Sequence, residues 1–277
     1  MQIIFLGTGP SRSLPRKGHT DALCRDARRG GKSRRLRSAA LVTSGKTTIL
    51  IDAGPDIAQQ LKRAKPKHID AILLTHGHED AIGGLKDLND WVAHVRSPQS
   101  VSGQRTSGQA DSIPVYTDSL TAECLTARFG ALRHLRFMQL KGYVPFTVAR
   151  TQITPVPVRH AHDKKIRTFG YLFESFCYAS DFYSLPERTK LLLKGTKTLI
   201  LDGAMYFGVH VPTHMSADAT IRLASELKTG RLILTQTGHT YPPHDQAQIA
   251  LHRYASTERL TRPKTVILAY DGLKLKT

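Results

Sequence analysis

Thr75-His76-Gly77-His78-Glu79-Asp80-Ala81 follows the apolar run 71–74, which is typical of a short buried strand. Two histidines and an aspartate therefore lie in the turn where a strand ends. Neutral imidazole and carboxylate groups are ligands that suit zinc, manganese or iron(II). Because His76 and His78 are two residues apart, both side chains can reach one ion from an extended loop. The sequence predicts a metal site here, although Ala81 stands where a further ligand is expected.

Other motifs accompany this stretch in order along almost the whole chain, for example Thr48-Ile-Leu-Ile-Asp-Ala-Gly54 and Tyr178-Ala-Ser-Asp181. Together they resemble the metallo-β-lactamase superfamily of metallohydrolases, whose first metal motif ends in a histidine that this chain lacks. Within it, the segments resemble most closely the cyclic phosphodiesterases of bacterial phosphonate breakdown. The superfamily-like segments are 1–9, 48–54, 158–160, 178–181 and 232–236, and the phosphodiesterase-like segments are 18–24, 113–116, 168–174 and 185–187.

Strand-like and helix-like runs alternate along the chain, which is typical of an α/β fold. No repeat or linker divides the sequence, so we expect a single domain over 1–277. The resemblance implies an αββα sandwich of two packed mixed sheets with outer helices. The predicted strands are 2–6, 39–43, 47–52, 70–74, 113–116, 151–158, 167–173, 197–201, 231–235 and 265–269, and the predicted helices are 55–64, 118–128, 186–194, 216–227 and 244–254.

The segment 97–112 departs from this pattern because it is rich in Ser, Gly and Gln and has no hydrophobic periodicity. We interpret it as a flexible insertion loop on the surface. A lid over the active site is the alternative, because unstructured loops of this length are often functional.

Length and composition favour a soluble cytoplasmic enzyme. A chain of 277 residues with 40% hydrophobic content can bury a full core. No apolar run approaches the roughly 20 residues that cross a membrane, and the first residues lack the pattern of a secretory signal. Cys24, Cys124 and Cys177 have no paired spacing, which favours reduced thiols.

The formal net charge of +18 favours anionic ligands. Lys and Arg are concentrated between Arg25 and Arg37, where Asp26 is the only acidic residue. The run is either a solvated loop or a phosphate-binding rim that includes Arg34 and Arg35, since the related phosphodiesterases also carry arginines here. Aromatic residues make up 7% of the chain and do not interleave with the run, so a nucleic-acid-binding surface has only weak support.

The resemblance implies one complete catalytic metal site and one altered site. The ligands of the first ion correspond to His76, His78, His160 and Asp181, with His162 as a less favoured substitute for His160. A second ion would use Asp80, Asp181 and two histidines, and Ala81 and Gln236 replace those histidines. Because both imidazoles of the same ion are absent, and an amide oxygen is a poor zinc ligand, we predict one strongly bound catalytic ion.

Three residues near these ligands are candidates for catalysis. Asp80 could orient water or act as general base, and Gln236 could hydrogen-bond to substrate or water. His214 matches a residue that resembles the general acid of the phosphodiesterases. The alternative for His214 is a polar residue at the start of a helix.

A second metal cluster is implied by the same resemblance, because the phosphodiesterases hold a structural zinc with three cysteines and a histidine. Alignment without gaps places His19, Asp21, Cys24 and His239 at those four positions. Each of these side chains is a competent zinc ligand, so we expect a structural zinc site. The alternative is that the site has decayed and these residues form ordinary hydrogen bonds.

The function predicted from sequence is a metal-dependent hydrolase, most closely a phosphodiesterase that acts on a small or cyclic phosphodiester. Zinc is the expected ion, with manganese or iron as alternatives, and zinc-bound water can supply hydroxide because its pKa falls to roughly 7. The alternatives are a degenerate, non-catalytic binding protein and a tRNA 3′-end endonuclease-like hydrolase. The expected partner is a small anionic phosphodiester, no membrane is expected, and a homodimer is one compatible oligomeric state.

Overall fold

The computed structural model describes residues 1–95, 112–160, 166–258 and 261–277. Within these residues the strands form two seven-stranded sheets. The first sheet contains β1 (Gln2–Gly7), β2 (Ala39–Ser44), β3 (Thr47–Ile51), β4 (Ala71–Leu73), β5 (Ile113–Thr117), β6 (Leu135–Gln139) and β14 (Lys274–Lys276). The second contains β7 (Phe146–Val148), β8 (Thr151–Val158), β9 (Thr168–Leu172), β10 (Phe176–Ala179), β11 (Thr198–Asp202), β12 (Arg231–Thr235) and β13 (Thr265–Leu268).

Both sheets are mixed. The first has the order β14-β1-β2-β3-β4-β5-β6, with antiparallel pairs as far as β3 and parallel pairs beyond it. The second has the order β13-β12-β11-β10-β9-β8-β7 and is parallel from β10 to β13. Buried runs such as β11 are apolar almost throughout, as expected of parallel strands covered on both faces.

Helices cover the outer faces of the two sheets. Phe5 and Tyr171 belong to the hydrophobic cluster between the sheets, Leu88 of α4 packs in the cluster outside the first sheet, and Ile221 and Leu251 pack outside the second. This layering confirms the predicted αββα sandwich. The helices are α1 (Ala22–Arg28), α2 (Ile57–Ala64), α3 (Glu79–Ile82), α4 (Leu85–Val95), α5 (Ser119–Phe129), α6 (Glu187–Leu193), α7 (Ala217–Glu226) and α8 (His244–Thr257).

Strand direction brings the chemically interesting residues to one edge of the sandwich. β8 and β10 run the same way because each is antiparallel to β9. In an α/β sheet, ligands bind outside the carboxyl ends of the strands. Here the predicted metal ligands follow the carboxyl ends of β4, β8 and β10.

The described residues contain no helix with the length and apolar character that a membrane span requires. Two sequence-based expectations fall outside the described residues. They are the flexible insertion 97–112, apart from Ser112, and the alternative ligand His162.

Candidate metal centre

His76 is presented by the turn after β4 and is held by a chain of hydrogen bonds. Asp52, which has a φ of 62°, accepts a hydrogen bond from the Thr75 backbone N–H at 2.8 Å. The Thr75 hydroxyl donates to Asp52 at 2.9 Å, so it accepts from His76 Nδ1, also at 2.9 Å. This arrangement leaves the lone pair of Nε2 available. His76 Nε2 is buried and makes no hydrogen bond, and burial lowers the His76 pKa to about 3, so the ring is neutral.

His160 is also oriented by a hydrogen bond from its Nδ1. Its Nδ1 donates to the Thr213 carbonyl oxygen at 2.9 Å, which leaves Nε2 as the ligand atom. That Nε2 lies 3.2 Å from His78 Nδ1. Two nitrogens bound to one tetrahedral zinc at about 2.0–2.1 Å are separated by roughly 3.3 Å. The candidate ligand atoms of His76, His78 and His160 all lie within 4.8 Å of one another, so the three rings fit a shared ion.

Asp181 completes the predicted ligand set. It is buried, and one ligand atom from each of His160, Asp181 and His214 lies within 4.8 Å of the others. Burial alone would raise the Asp181 pKa, but the neighbouring imidazoles and the hydrogen bond from Ser180 lower it below its ordinary value. An ionised carboxylate beside three imidazoles is a donor set that suits zinc, manganese or iron. The structure therefore places Asp181 within ligand distance of His160, which itself lies within ligand distance of His76 and His78.

His214 lies at the same edge with a fully buried carboxylate behind it. Its Nδ1 is 2.7 Å from Asp202 Oδ2, and its ring centroid is 4.9 Å from that of His160. Burial alone would lower the His214 pKa, but the charge of Asp202 and this hydrogen bond raise it to about 9. His214 is therefore a proton donor at neutral pH, which fits the predicted general acid. Asp202 was not anticipated from the sequence, although it ends an apolar strand just as Asp52 follows one.

The residues assigned to the altered second site are not grouped, in the described part of the chain, as possible ligands of a second ion. Ala81 is buried in the hydrophobic cluster outside the first sheet. Gln236 is 2% exposed and donates from Nε2 to Asp181 Oδ1 at 2.5 Å. Burial, together with the charge of Asp181, raises the Asp80 pKa to about 6. Gly54 allows the backbone of Asp80 to approach closely, because a Cβ at Gly54 would lie 1.9 Å from the Asp80 carbonyl oxygen.

The four predicted structural ligands also converge. His239 Nε2 is 2.9 Å from Asp21 Oδ2 and 3.3 Å from Cys24 Sγ, and its ring centroid is 4.7 Å from that of His19. Asp21 uses its other oxygen, Oδ1, to cap α1 by accepting from the Cys24 backbone N–H at 2.9 Å. This hydrogen bond is the main reason that the Asp21 pKa falls to about 2. Asp21 Oδ2 therefore lies beside the His239 imidazole, which also contacts the Cys24 thiol. All three groups are possible metal ligands.

The Arg-rich run is not a solvated loop throughout, because its first part forms α1. Arg25 donates to the Thr20 carbonyl oxygen and Arg28 to the His19 carbonyl oxygen. These two arginines therefore hold the loop that carries the first two structural ligands. This use of the positive charge was not expected from the composition.

Arg35 does not belong to a phosphate-binding rim, and that prediction is wrong. The side chain is 1% exposed and donates to the Thr8 hydroxyl at 2.7 Å, to His244 Nδ1 at 3.1 Å and to the Ala269 carbonyl oxygen. Extended backbone points successive side chains to opposite faces. Arg34 is consequently exposed while Arg35 is buried. Arg34 stays a predicted substrate contact.

Comparison with known proteins gives one family and several similar structures. A family model described as a β-lactamase superfamily domain matches residues 47–235. The crystal structure of a diphosphatase from the PhnP family is 31% identical, covers 99% of this chain and 96% of its own, and superposes with a TM-score of 0.81. Zn²⁺-bound PqqB from Methylobacterium extorquens is 20% identical with full coverage of both chains and a TM-score of 0.75, which is a likeness of fold.

A curated relative of different length is the octanoyltransferase of Porphyromonas gingivalis strain W83. It is 27% identical over 274 residues, a region that covers 99% of this chain and 51% of the relative. The chain therefore spans about half the length of that protein.

Proposed function

Because this chain belongs to the β-lactamase superfamily, we propose that it is a metal-dependent hydrolase that cleaves a small or cyclic phosphodiester. The observation that carries the proposal is the cluster of three imidazoles, His76, His78 and His160, with Asp181 and the proton donor His214 next to His160. The net charge of +18 supports an anionic substrate. The similarity to a diphosphatase supports a phosphorylated one.

The residues present supply the parts of a hydrolytic reaction. An ion bound by His76, His78, His160 and Asp181 would act as a Lewis acid and lower the pKa of water. Asp80, whose pKa of about 6 suits a general base near neutral pH, takes up the proton of the attacking water. As the bond from phosphorus to the leaving oxygen breaks, His214 Nε2 gives its proton to that oxygen. Asp202 stabilises the imidazolium and fixes its orientation.

The direct test is hydrolysis of bis(p-nitrophenyl) phosphate and cyclic nucleotides by metal-loaded protein. We expect turnover by the wild type and none above background with His76→Ala, because the substitution removes a proposed ligand whose buried Nε2 has no hydrogen-bond partner and would bind the ion. If both proteins give the same rate on every one of these substrates, the proposal is wrong.

A second candidate, favoured by the hydrogen bond from Gln236 to Asp181, is a non-catalytic protein that binds a phosphorylated ligand through one ion. The variant carrying Ala81→His and Gln236→His separates the two functions. Hydrolysis that appears only in this variant indicates that the parent protein is the binding protein.

The second cluster is proposed to hold a structural zinc. The ligands would be His19, Asp21, Cys24 and His239, and the ion would fasten the N-terminal loop to the segment after β12. Its contribution would be to stability, because metal that binds only the folded state shifts the folding equilibrium.

We expect Cys24→Ser to lose one equivalent of zinc and to melt roughly 5–10 °C lower, since saturation at about 100 times Kd is worth about 2.7 kcal/mol. Metal analysis by mass spectrometry and thermal unfolding with and without chelator provide the measurements. Cys124→Ser, at an exposed cysteine, is the matched control and should change neither value. Equal metal content in both variants would contradict the site.

A further inference from the structure

Asp181 and Asp80 are the two carboxylates assigned to the candidate metal centre. Asp181 is buried and Asp80 is half-buried. A buried carboxylate normally requires compensation by a cation or by hydrogen-bond donors. Here the compensation for Asp181 comes from two donors, the Ser180 hydroxyl at 2.5 Å and the Gln236 amide at 2.5 Å.

The orientation of the Gln236 amide follows from the chemistry of its partner. Only the NH₂ group of an amide can donate and a carboxylate oxygen accepts, so the bond at 2.5 Å places Nε2 against Asp181 Oδ1 and Oε1 away from it. Turning the amide to offer Oε1 to a cation between the two carboxylates would break this short bond. Gln236 Oε1 is itself buried and makes no hydrogen bond, so the bond to Asp181 is what fixes the side chain.

Ala81 supplies no ligand to a second cation at this place. The methyl group of Ala81 packs in the hydrophobic cluster and has no lone pair. Three sets of side chains in the described residues have the spacing to hold a metal, and none of the three includes Asp80.

We propose that the Gln236 amide takes the place of a second catalytic cation, so that the centre holds a single ion and Asp181 serves that ion alone. The inference rests on the catalytic ion of the proposed function but not on hydrolysis. Gln236 is thereby a positioning residue, which keeps the buried carboxylate of Asp181 fixed and satisfied by a neutral donor. Without a second ion to stabilise the leaving oxygen, that task falls to His214.

The test is metal stoichiometry and Mn²⁺ spectroscopy on chelator-treated, reloaded protein. We expect the variant with Ala81→His and Gln236→His to bind one equivalent more than the wild type, whatever the occupancy of the structural site. The Mn²⁺ spectrum should change from that of uncoupled ions to that of an exchange-coupled pair. Gln236→Glu, which is nearly the same size and exchanges the donor for a ligand oxygen, is the second variant and should also gain an ion. A variant with Ala127→His and Gln152→His, both at exposed positions, controls for unspecific binding by added histidines.

The inference is overturned if the wild type gives the exchange-coupled spectrum, or if neither variant binds more metal than the wild type. These outcomes are independent of the hydrolysis assay. Wild-type protein that binds one catalytic ion but cleaves no phosphodiester contradicts the proposed function and leaves the inference intact.

Discussion

Replacing His214 with Asn is expected to slow the hydrolysis of diesters that have an alkoxide leaving group by roughly 10²–10⁴-fold, the usual contribution of a general acid. Asn retains a donor near the position of Nδ1, so Asp202 keeps its hydrogen bond while the proton on Nε2 is lost. The expected effect is at the upper end of this range, because a single ion leaves no second cation to stabilise the leaving oxygen.

The leaving group separates catalysis from damage to the site. p-Nitrophenolate departs without protonation, so His214→Asn should lower the rate on bis(p-nitrophenyl) phosphate far less than the rate on an alkyl diester. A variant that has lost its metal would instead lose both activities equally. Equal losses on both substrates, with metal content unchanged, would show that His214 is not the general acid.

The pH profile gives an independent readout. Burial alone would lower the His214 pKa, but Asp202 raises it to about 9, and the protonated form is the one that donates. The wild-type rate on an alkyl diester should therefore fall as the pH rises through about 9. In His214→Asn this alkaline limb should be missing, because the group that titrates there has been removed.

The candidate metal ligands could be assigned from the sequence because the resemblance to the metallo-β-lactamase superfamily supplied their positions, and these positions also lie where apolar strands end. His76 follows an apolar strand, Asp181 follows another, and strands that end at the same edge bring such residues together. Asp202 also lies at the end of a strand, but its role could not be predicted from that position. The role becomes visible only in the fold, where His214 Nδ1 lies 2.7 Å from the Asp202 carboxylate. The carbonyl of Thr213 that orients His160 could not be predicted, because every residue has a carbonyl.

Short elements were missed for a different reason. β7, β10 and β14 have three or four residues each and show little hydrophobic period. The equally short β4 and β13 were predicted because they lie in continuous apolar runs. α1 was not predicted because its segment was interpreted as a basic loop. Two signals for a helix were present: Asp21 is a typical N-cap, and the buried side chains Leu23, Cys24 and Ala27 share one face. Composition describes how much charge a segment carries, but only the packed structure shows which arginine donates to which carbonyl.

Arg35→Met is expected to lower the free energy of unfolding by about 3–5 kcal/mol, the usual result of removing one partner from a buried charged network. The Thr8 hydroxyl accepts from Arg35 and donates to Asp271 Oδ1 at 2.9 Å, so the guanidinium supports a buried carboxylate through one intermediary. The substitution would leave the Ala269 carbonyl oxygen and His244 Nδ1 without their donor. Urea denaturation at neutral pH is the measurement.

Arg34→Met is the matched control, because the neighbouring arginine is exposed and its loss should change stability by no more than about 0.5 kcal/mol. A second readout comes from His244, whose pKa is lowered to about 4 by burial and by the adjacent Arg35. NMR titration of folded Arg35→Met protein should show this pKa rising, because a repelling cation has been removed. If Arg35→Met is as stable as Arg34→Met, the buried guanidinium does not hold this corner of the fold together. A stability loss combined with an unchanged His244 pKa would instead assign the effect to lost packing, since the stem of an arginine also fills space.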